Sequence, residues 1–396
     1  MSSAPETAAP ENADSAVSHI PALDGLRGSA ILFVMLHHFY GFGANQGYLD
    51  TTFLKTFWGL AGFFWCGVDL FFVLSGFLIT SILLNTKESP SYFRSFYGRR
   101  AVRIFPLYFI CLFLYYYAPL GFLHNSPLRP THQIWFWTYL ANWKTGMWPL
   151  DELSHFWSLC VEEQFYFIWP LAVWLAPRRA FPWLCGGVIA ASLSAGFAFE
   201  VADLPKLFVF MASVPRMEAL VLGALLAWLI RQSWLHRITG QLKLMVPLTC
   251  GLMLVCALNP PYFRSFYTLQ FLIIGVGFSA VLLHCVTCPD SFFVRLMGSR
   301  FLRSFGKYSY AIYVLHQMVF YFAGTYTFIA LKPFISSDPL LLALMFTSMF
   351  SASYLAGFLC WHLLEKHFLR LKKYLPYQVG VPANPEPEGL AETAAV

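Results

Sequence analysis

Charge is what this chain has least of. Asp, Glu, Lys and Arg make up 12% of its 396 residues, roughly half the share found in an ordinary soluble domain. Apolar residues make up 58% and the mean hydropathy is +0.58. A soluble globular protein is thereby excluded, and a multi-span membrane protein is expected. The first nineteen residues (MSSAPETAAPENADSAVSH) hold neither a basic n-region nor an apolar h-region, so no cleavable signal peptide is expected. Of nine cysteines only Cys285 and Cys288 form a CxxC, without a second pair or matching His. Packing thiols, and no metal, are the expectation. Internal repeats are lacking too, as are two matching interrupted apolar segments, which weighs against a transporter.

What the chain does have is rings and long apolar runs. Its 41 Phe, 20 Tyr and 13 Trp suit the lipid interface. The runs fit ten spans, at about 23–43, 65–85, 103–119, 157–176, 181–199, 211–230, 243–259, 268–286, 308–329 and 340–363. With the N-terminus inside, 19 of the 26 Lys and Arg fall in connections on one side. The positive-inside rule then places both termini in the cytoplasm. The formal charge of +6 is thus topological and calls for no nucleic acid. The expected fold is an all-α membrane protein of about ten transmembrane helices in the inner membrane, spanning residues 21–370, with no fused soluble domain. Residues 1–20 and 371–396 read as disordered ends. The external segment 120–156, rich in Trp, reads either as an interfacial belt or as a cap over an outward-facing site.

Against this apolar background the ionisable residues inside spans are functional candidates. Eleven positions separate Arg27 from His38, three helical turns plus about 20°, so both share one face roughly 16 Å apart along the axis. His37 points about 100° away. Topology puts His38, Asp69, Glu162, Glu163, Arg216 and Glu218 at similar depth in the outer half, which predicts one shared polar cavity. His155, Ser158 and Glu162 fall on one helical stripe while Glu163 faces elsewhere; the choice between the two carboxylates stays open. Asp69 reads either as part of that cluster or as a positioning partner of Arg216. At the inner end, Arg100 and Arg103 lie one turn apart and join Arg27 in a basic cluster suited to gripping phosphate. His316, roughly 12 Å into the ninth span, reads first as a structural hydrogen-bonder, with catalysis the alternative.

The segments LDGLRGSAILFVMLHH, GVDLFFVLSGFLIT, RRAVRIFPLYF, FWSLCVEEQFYFIWP, RMEALVLGALLA and SYAIYVLHQ occur in an order that resembles the integral-membrane acyltransferase-3 family, over residues 20–370. The resemblance implies ten spans and transfer of an acyl group, usually acetyl from acetyl-CoA, to the hydroxyl of a glycan or small molecule. It matches Arg27 and His38 to the family's basic residue and essential histidine, Arg100 and Arg103 to its RxxR motif, and Glu162 or Glu163 to its carboxylate-bearing segment. Where the family usually has serine, this chain has Cys160, a small residue for a small residue.

Geometry and resemblance together give one expected scheme. Phosphates of cytoplasmic acetyl-CoA dock on Arg27, Arg100 and Arg103, and His38 acts as general base toward the acceptor hydroxyl. Glu162 or Glu163 orients the imidazole, and Arg216 assists at the oxyanion. The acceptor is expected to be an envelope or surface glycan, with a lipophilic small molecule such as a macrolide sugar as the alternative. The rival class is a proton-coupled transporter using the same intramembrane His, Glu and Asp.

Overall fold

The computed structural model describes residues 20–45, 62–117, 129–145, 153–235, 247–256 and 267–377. Among them every regular element is helical and no strand occurs, the outcome hydrocarbon enforces when backbone groups must be satisfied within one segment. The long helices are α1 (Pro21–Asn45), α2 (Gly67–Thr86), α3 (Tyr92–Tyr117), α4 (Trp157–Leu175), α5 (Phe181–Val201), α6 (Met217–Leu229), α7 (Tyr267–Thr287), α8 (Arg300–Leu331) and α9 (Asp338–Cys360). A shorter apolar helix, Pro247–Cys256, falls in the seventh expected span. Of the expected disordered ends, 1–20 and 371–396, residues 1–19 and 378–396 lie outside the described residues, whereas 371–377 hold most of the 3-10 turn Arg370–Tyr374 and a Pro376 carbonyl that accepts from Ser95 at 2.7 Å.

Five stretches are long and apolar enough to cross a membrane: Phe64–Thr86, Phe181–Val201, Tyr267–Thr287, Arg300–Leu331 and Asp338–Tyr374. α1, α3 and α4 are not among them, and these are the helices that carry Arg27, Arg100, Arg103, Glu162 and Glu163. The polar groups that mark the site are what lower the hydropathy of their helices. Burial shows the layering: 72% of the apolar window of Phe64–Thr86 is inside the protein, against 17% of that of Phe181–Val201. α2 is therefore a core helix, and α5 faces outward.

Two glycine crossings set the register of the bundle. α1 and α8 run side by side, and a Cβ built on Gly28 would overlap the Leu302 carbonyl, as one on Gly306 would overlap that of Asp24. α2 and α6 meet the same way, with Gly76 against Leu220 and Gly223 against Val73. Small residues let the backbones touch where lipid supplies no hydrophobic drive for association. α8 has 32 residues and is about 48 Å long, so one helix carries Arg300 at one end and His316 sixteen residues on.

Gly28→Leu should lower the yield of monodisperse protein in detergent, because the backbone contact leaves no room for relaxation; overpacking typically costs about 1–3 kcal/mol. Gly186→Leu, where an added Cβ meets nothing within 4 Å, should leave the size-exclusion profile unchanged.

Candidate active site

Three helices bring their charges to one cavity. α1 supplies Arg27, α3 supplies Arg100 and Arg103 from consecutive turns, and α4 supplies Glu162 and Glu163. Ser75 of α2 and Tyr310 and Tyr313 of α8 complete the wall around about 830 Å³ of space, counted out to its open mouth. The Arg100 guanidinium lies 5.5 Å over the Tyr166 ring, and the Tyr166 hydroxyl bonds Ser75, which also bonds the Glu162 carboxylate. Arg27 is 3.8 Å from Asp24, one turn earlier. Arg27 and Arg103 also line a more open cavity of about 1010 Å³, where Arg300, Arg303 and Lys307 from the start of α8 join them. Asp24 is the single carboxylate among the lining residues there. Five cations around one acid make a surface fitted to a polyanion.

A second chamber of about 1340 Å³ is lined by His37, His38 and His155, with Trp65, Phe210 and Gln317. His38 Nδ1 lies 2.9 Å from His316 Nε2. The His155 ring is 4.9 Å from that of His316 and 6.3 Å from that of His38. His37 turns aside to the Gly62 carbonyl at 3.1 Å. Val68 and Tyr313 line this chamber and the arginine cavity alike, so the two are separated by little more than one tyrosine. The Tyr313 hydroxyl donates to the His155 carbonyl at 2.9 Å and pairs with the Ser158 hydroxyl.

The third polar group is structural. Asp69, Arg216 and Glu218 are fully buried and line neither chamber. Arg216 Nη2 meets Asp69 Oδ1 at 2.5 Å, and Nη1 is 4.0 Å from Glu218 Oε1. Its guanidinium lies 3.8 Å from the Phe271 ring centroid, and Ser192 donates to Glu218 at 3.2 Å. This cluster joins α2 to the turn Val214–Arg216 ahead of α6.

The single polar cavity expected from depth alone is therefore three separate groups. Glu162 and Glu163, expected beside His38, lie with the arginines, and the partner of His38 is a histidine. The expected His155–Ser158–Glu162 stripe fails for a local reason. Ser154–Phe156 is a 3-10 turn and α4 begins at Trp157, so His155 faces the histidine chamber while Ser158 and Glu162 face the arginine cavity. Arg216, expected near the oxyanion, is held by Asp69, the positioning alternative for that carboxylate. Within the external segment, Ser154 and His155 line the histidine chamber, whereas the described side chains of the helices Arg129–Trp137 and Ala141–Thr145 line neither chamber. That stretch is tied instead to α4, through Gln164 donating to Asn142 at 2.9 Å. Sequence reasoning missed the pairing of His316 with His38 and the site-facing roles of Arg300, Arg303 and Lys307. The SYAIYVLHQ segment was the available signal for the first; a run of basic residues at a helix start carries no such signal, because topology alone explains it. No group of His, Cys, Asp and Glu fit to hold a metal ion occurs among the described residues.

Comparison with known proteins covers nearly the whole chain. A family model described as an acyltransferase domain, that of the acyltransferase-3 family, matches residues 20–362. The chain is 31% identical over 335 residues to YrhL of Bacillus subtilis (strain 168), provisionally named a peptidoglycan O-acetyltransferase, covering 76% of this chain and 48% of that protein. It is 26% identical over 342 residues to the O-acetyltransferase OatA of Staphylococcus aureus (strain NCTC 8325 / PS 47), covering 78% and 52%. The chain thus spans about half the length of the curated relatives it matches. No solved structure matches it.

Removing Arg216 should strand Asp69 and Glu218 in the core. Arg216→Ala should destabilise the fold by about 3–5 kcal/mol, read as a lowered melting midpoint in detergent, whereas Arg300→Ala, at an exposed cation, should leave the midpoint within error.

Proposed function

This chain belongs to the acyltransferase-3 family, and from that premise we propose that it is a membrane O-acetyltransferase moving acetyl from cytoplasmic acetyl-CoA to a sugar hydroxyl of an envelope glycan. One observation carries the reading: an arginine-lined cavity and a histidine-lined chamber meet at Val68 and Tyr313. A phosphate-bearing donor and a hydroxyl acceptor can then reach one imidazole from opposite sides. Ten spans with both termini in the cytoplasm of an inner-membrane protein agree with this direction, since the basic mouth then faces the compartment that makes acetyl-CoA. The name carried by the Bacillus subtilis relative favours peptidoglycan as the acceptor.

In this scheme the nucleotide phosphates sit on Arg27, Arg100 and Arg103, with Arg300, Arg303 and Lys307 extending the cationic surface at the mouth. Charge-assisted contacts to guanidinium groups supply both affinity and orientation. Glu162 and Glu163 offset part of the positive charge, so that the three arginines can be packed together inside an apolar protein. The acyl-bearing arm passes Tyr313 into the histidine chamber. There His38 removes the proton from the acceptor hydroxyl as its oxygen attacks the thioester carbonyl. Collapse of the tetrahedral intermediate breaks the C–S bond, and the departing thiolate takes the proton back from His38. The products are the acetyl ester and free CoA, with no net change in the enzyme.

Purified protein incubated with radiolabelled acetyl-CoA and peptidoglycan fragments should release CoA and label the fragments. His38→Ala should reduce turnover by about 100-fold or more, the usual worth of a general base. Arg100→Ala with Arg103→Ala should weaken acetyl-CoA binding by more than about tenfold, because each hydrogen bond to a charged group contributes about 1.5–3 kcal/mol. Label that crosses a vesicle membrane without becoming covalently attached would point to a transporter instead.

A further inference from the structure

His38 and His316 fix each other's protons. His316 Nδ1 lies 2.8 Å from the Tyr313 carbonyl and 3.2 Å from that of Ile312. Carbonyl oxygens only accept, so that nitrogen carries the hydrogen. In a neutral His316, Nε2 then holds a lone pair and must accept, and its partner at 2.9 Å is His38 Nδ1. His38 Nδ1 is therefore the protonated nitrogen of its ring. That leaves His38 Nε2 as the one nitrogen of the pair with both a free lone pair and a place in the wall of the histidine chamber. Hydrogen bonding through the far nitrogen is the general way a histidine's tautomer is set.

We propose that His316 is the positioning residue of the transfer reaction, holding His38 in the tautomer whose Nε2 accepts the acceptor's proton and sharing the positive charge that forms. This rests on the reading of His38 as the general base. When Nε2 takes the proton, the Nδ1–H···Nε2 bond becomes charge-assisted and shortens. The proton on His38 Nδ1 can pass to His316 Nε2, which leaves His38 neutral and His316 as an imidazolium whose Nδ1–H still faces two carbonyls. It returns when the thiolate is protonated, so the proton count closes. The same geometry accounts for a base with no carboxylate among the described residues that line its chamber. A fixed anion there would repel the thiolate as it forms, whereas a neutral histidine does not. Other titratable groups around the pair are His37 on α1, His155 ahead of α4 and the Tyr313 phenol on α8.

Substitution separates this role from mere packing. The Gln side chain reaches the place of the imidazole Nε2, so His316→Gln keeps an acceptor for His38 Nδ1–H. Asn reaches only the Nδ1 place, so His316→Asn does not. With radiolabelled acetyl-CoA and peptidoglycan fragments, His316→Gln should keep kcat within about tenfold of wild type. His316→Asn and His316→Ala should lose about 100-fold, with KM for acetyl-CoA unchanged. Equal loss in all three variants, or no loss in any, overturns the proposal. Inactive wild-type protein would count against the transferase reading alone, and a measurement independent of turnover then decides. In detergent-solubilised protein labelled with ¹⁵N-histidine, His38 should show a protonated Nδ1 and an unprotonated Nε2 at neutral pH, and its ring N–H resonance should move upfield in His316→Ala, where the Val34 carbonyl is the partner left to it. A His38 ring protonated at Nε2 in the wild type overturns the proposal whatever the activity.

Discussion

Backbone contact between α1 and α8 is the constraint on which the rest of this structure depends. Gly28 and Gly306 let the two helices touch, and the same crossing brings His38 to within hydrogen-bonding distance of His316. At the other end it sets Arg27 beside Arg300, Arg303 and Lys307. Two helices locked at one point thus hold both the cationic cavity and the histidine chamber. A side chain larger than hydrogen at the crossing would shift the two together.

Polar groups in this protein are handled in two ways. Asp69, Arg216 and Glu218 are sealed in the core, one guanidinium between two carboxyl groups and braced by aromatic faces; they hold α2 to α6. The arginines and glutamates around Ser75, and the histidines around Tyr313, are left lining cavities. Taking charge out of water is costly in both cases. In the first the cost is met by direct pairing, and in the second Glu162 and Glu163 offset part of the charge of the arginines beside them. A buried pair is therefore weak grounds for assigning function, and a charged residue that lines a cavity is better grounds. On that criterion Arg27, Arg100, Arg103 and His38, which line cavities, are the candidates for the site, and Arg216, which lines neither chamber, goes with the scaffold.

Tyr313 occupies the junction. Its ring lines both cavities, and its hydroxyl holds the His155 carbonyl and the Ser158 side chain. Its own carbonyl orients His316. One residue therefore links the wall between the chambers to the orientation of His316, one turn further along α8.

Helicity, the placing of Arg27 and His38 three turns apart on one helix, and the adjacency of Arg100 and Arg103 were legible in the sequence. All three follow from hydropathy or from the 3.6-residue repeat, which act within one helix. The partner of His38 was not legible, because 278 positions separate it from His316 and no periodicity spans two helices. The fate of Glu162 and Arg216 was hidden for the same reason: membrane depth fixes one coordinate of a side chain, and the azimuth of each helix in the bundle fixes the others. A 3-10 turn at Ser154–Phe156 was enough to part His155 from Glu162. Local chemistry thus determined which residues are costly to bury and where they lie along their helices. Only tertiary packing, through glycine contacts between helices, decided which of them face each other.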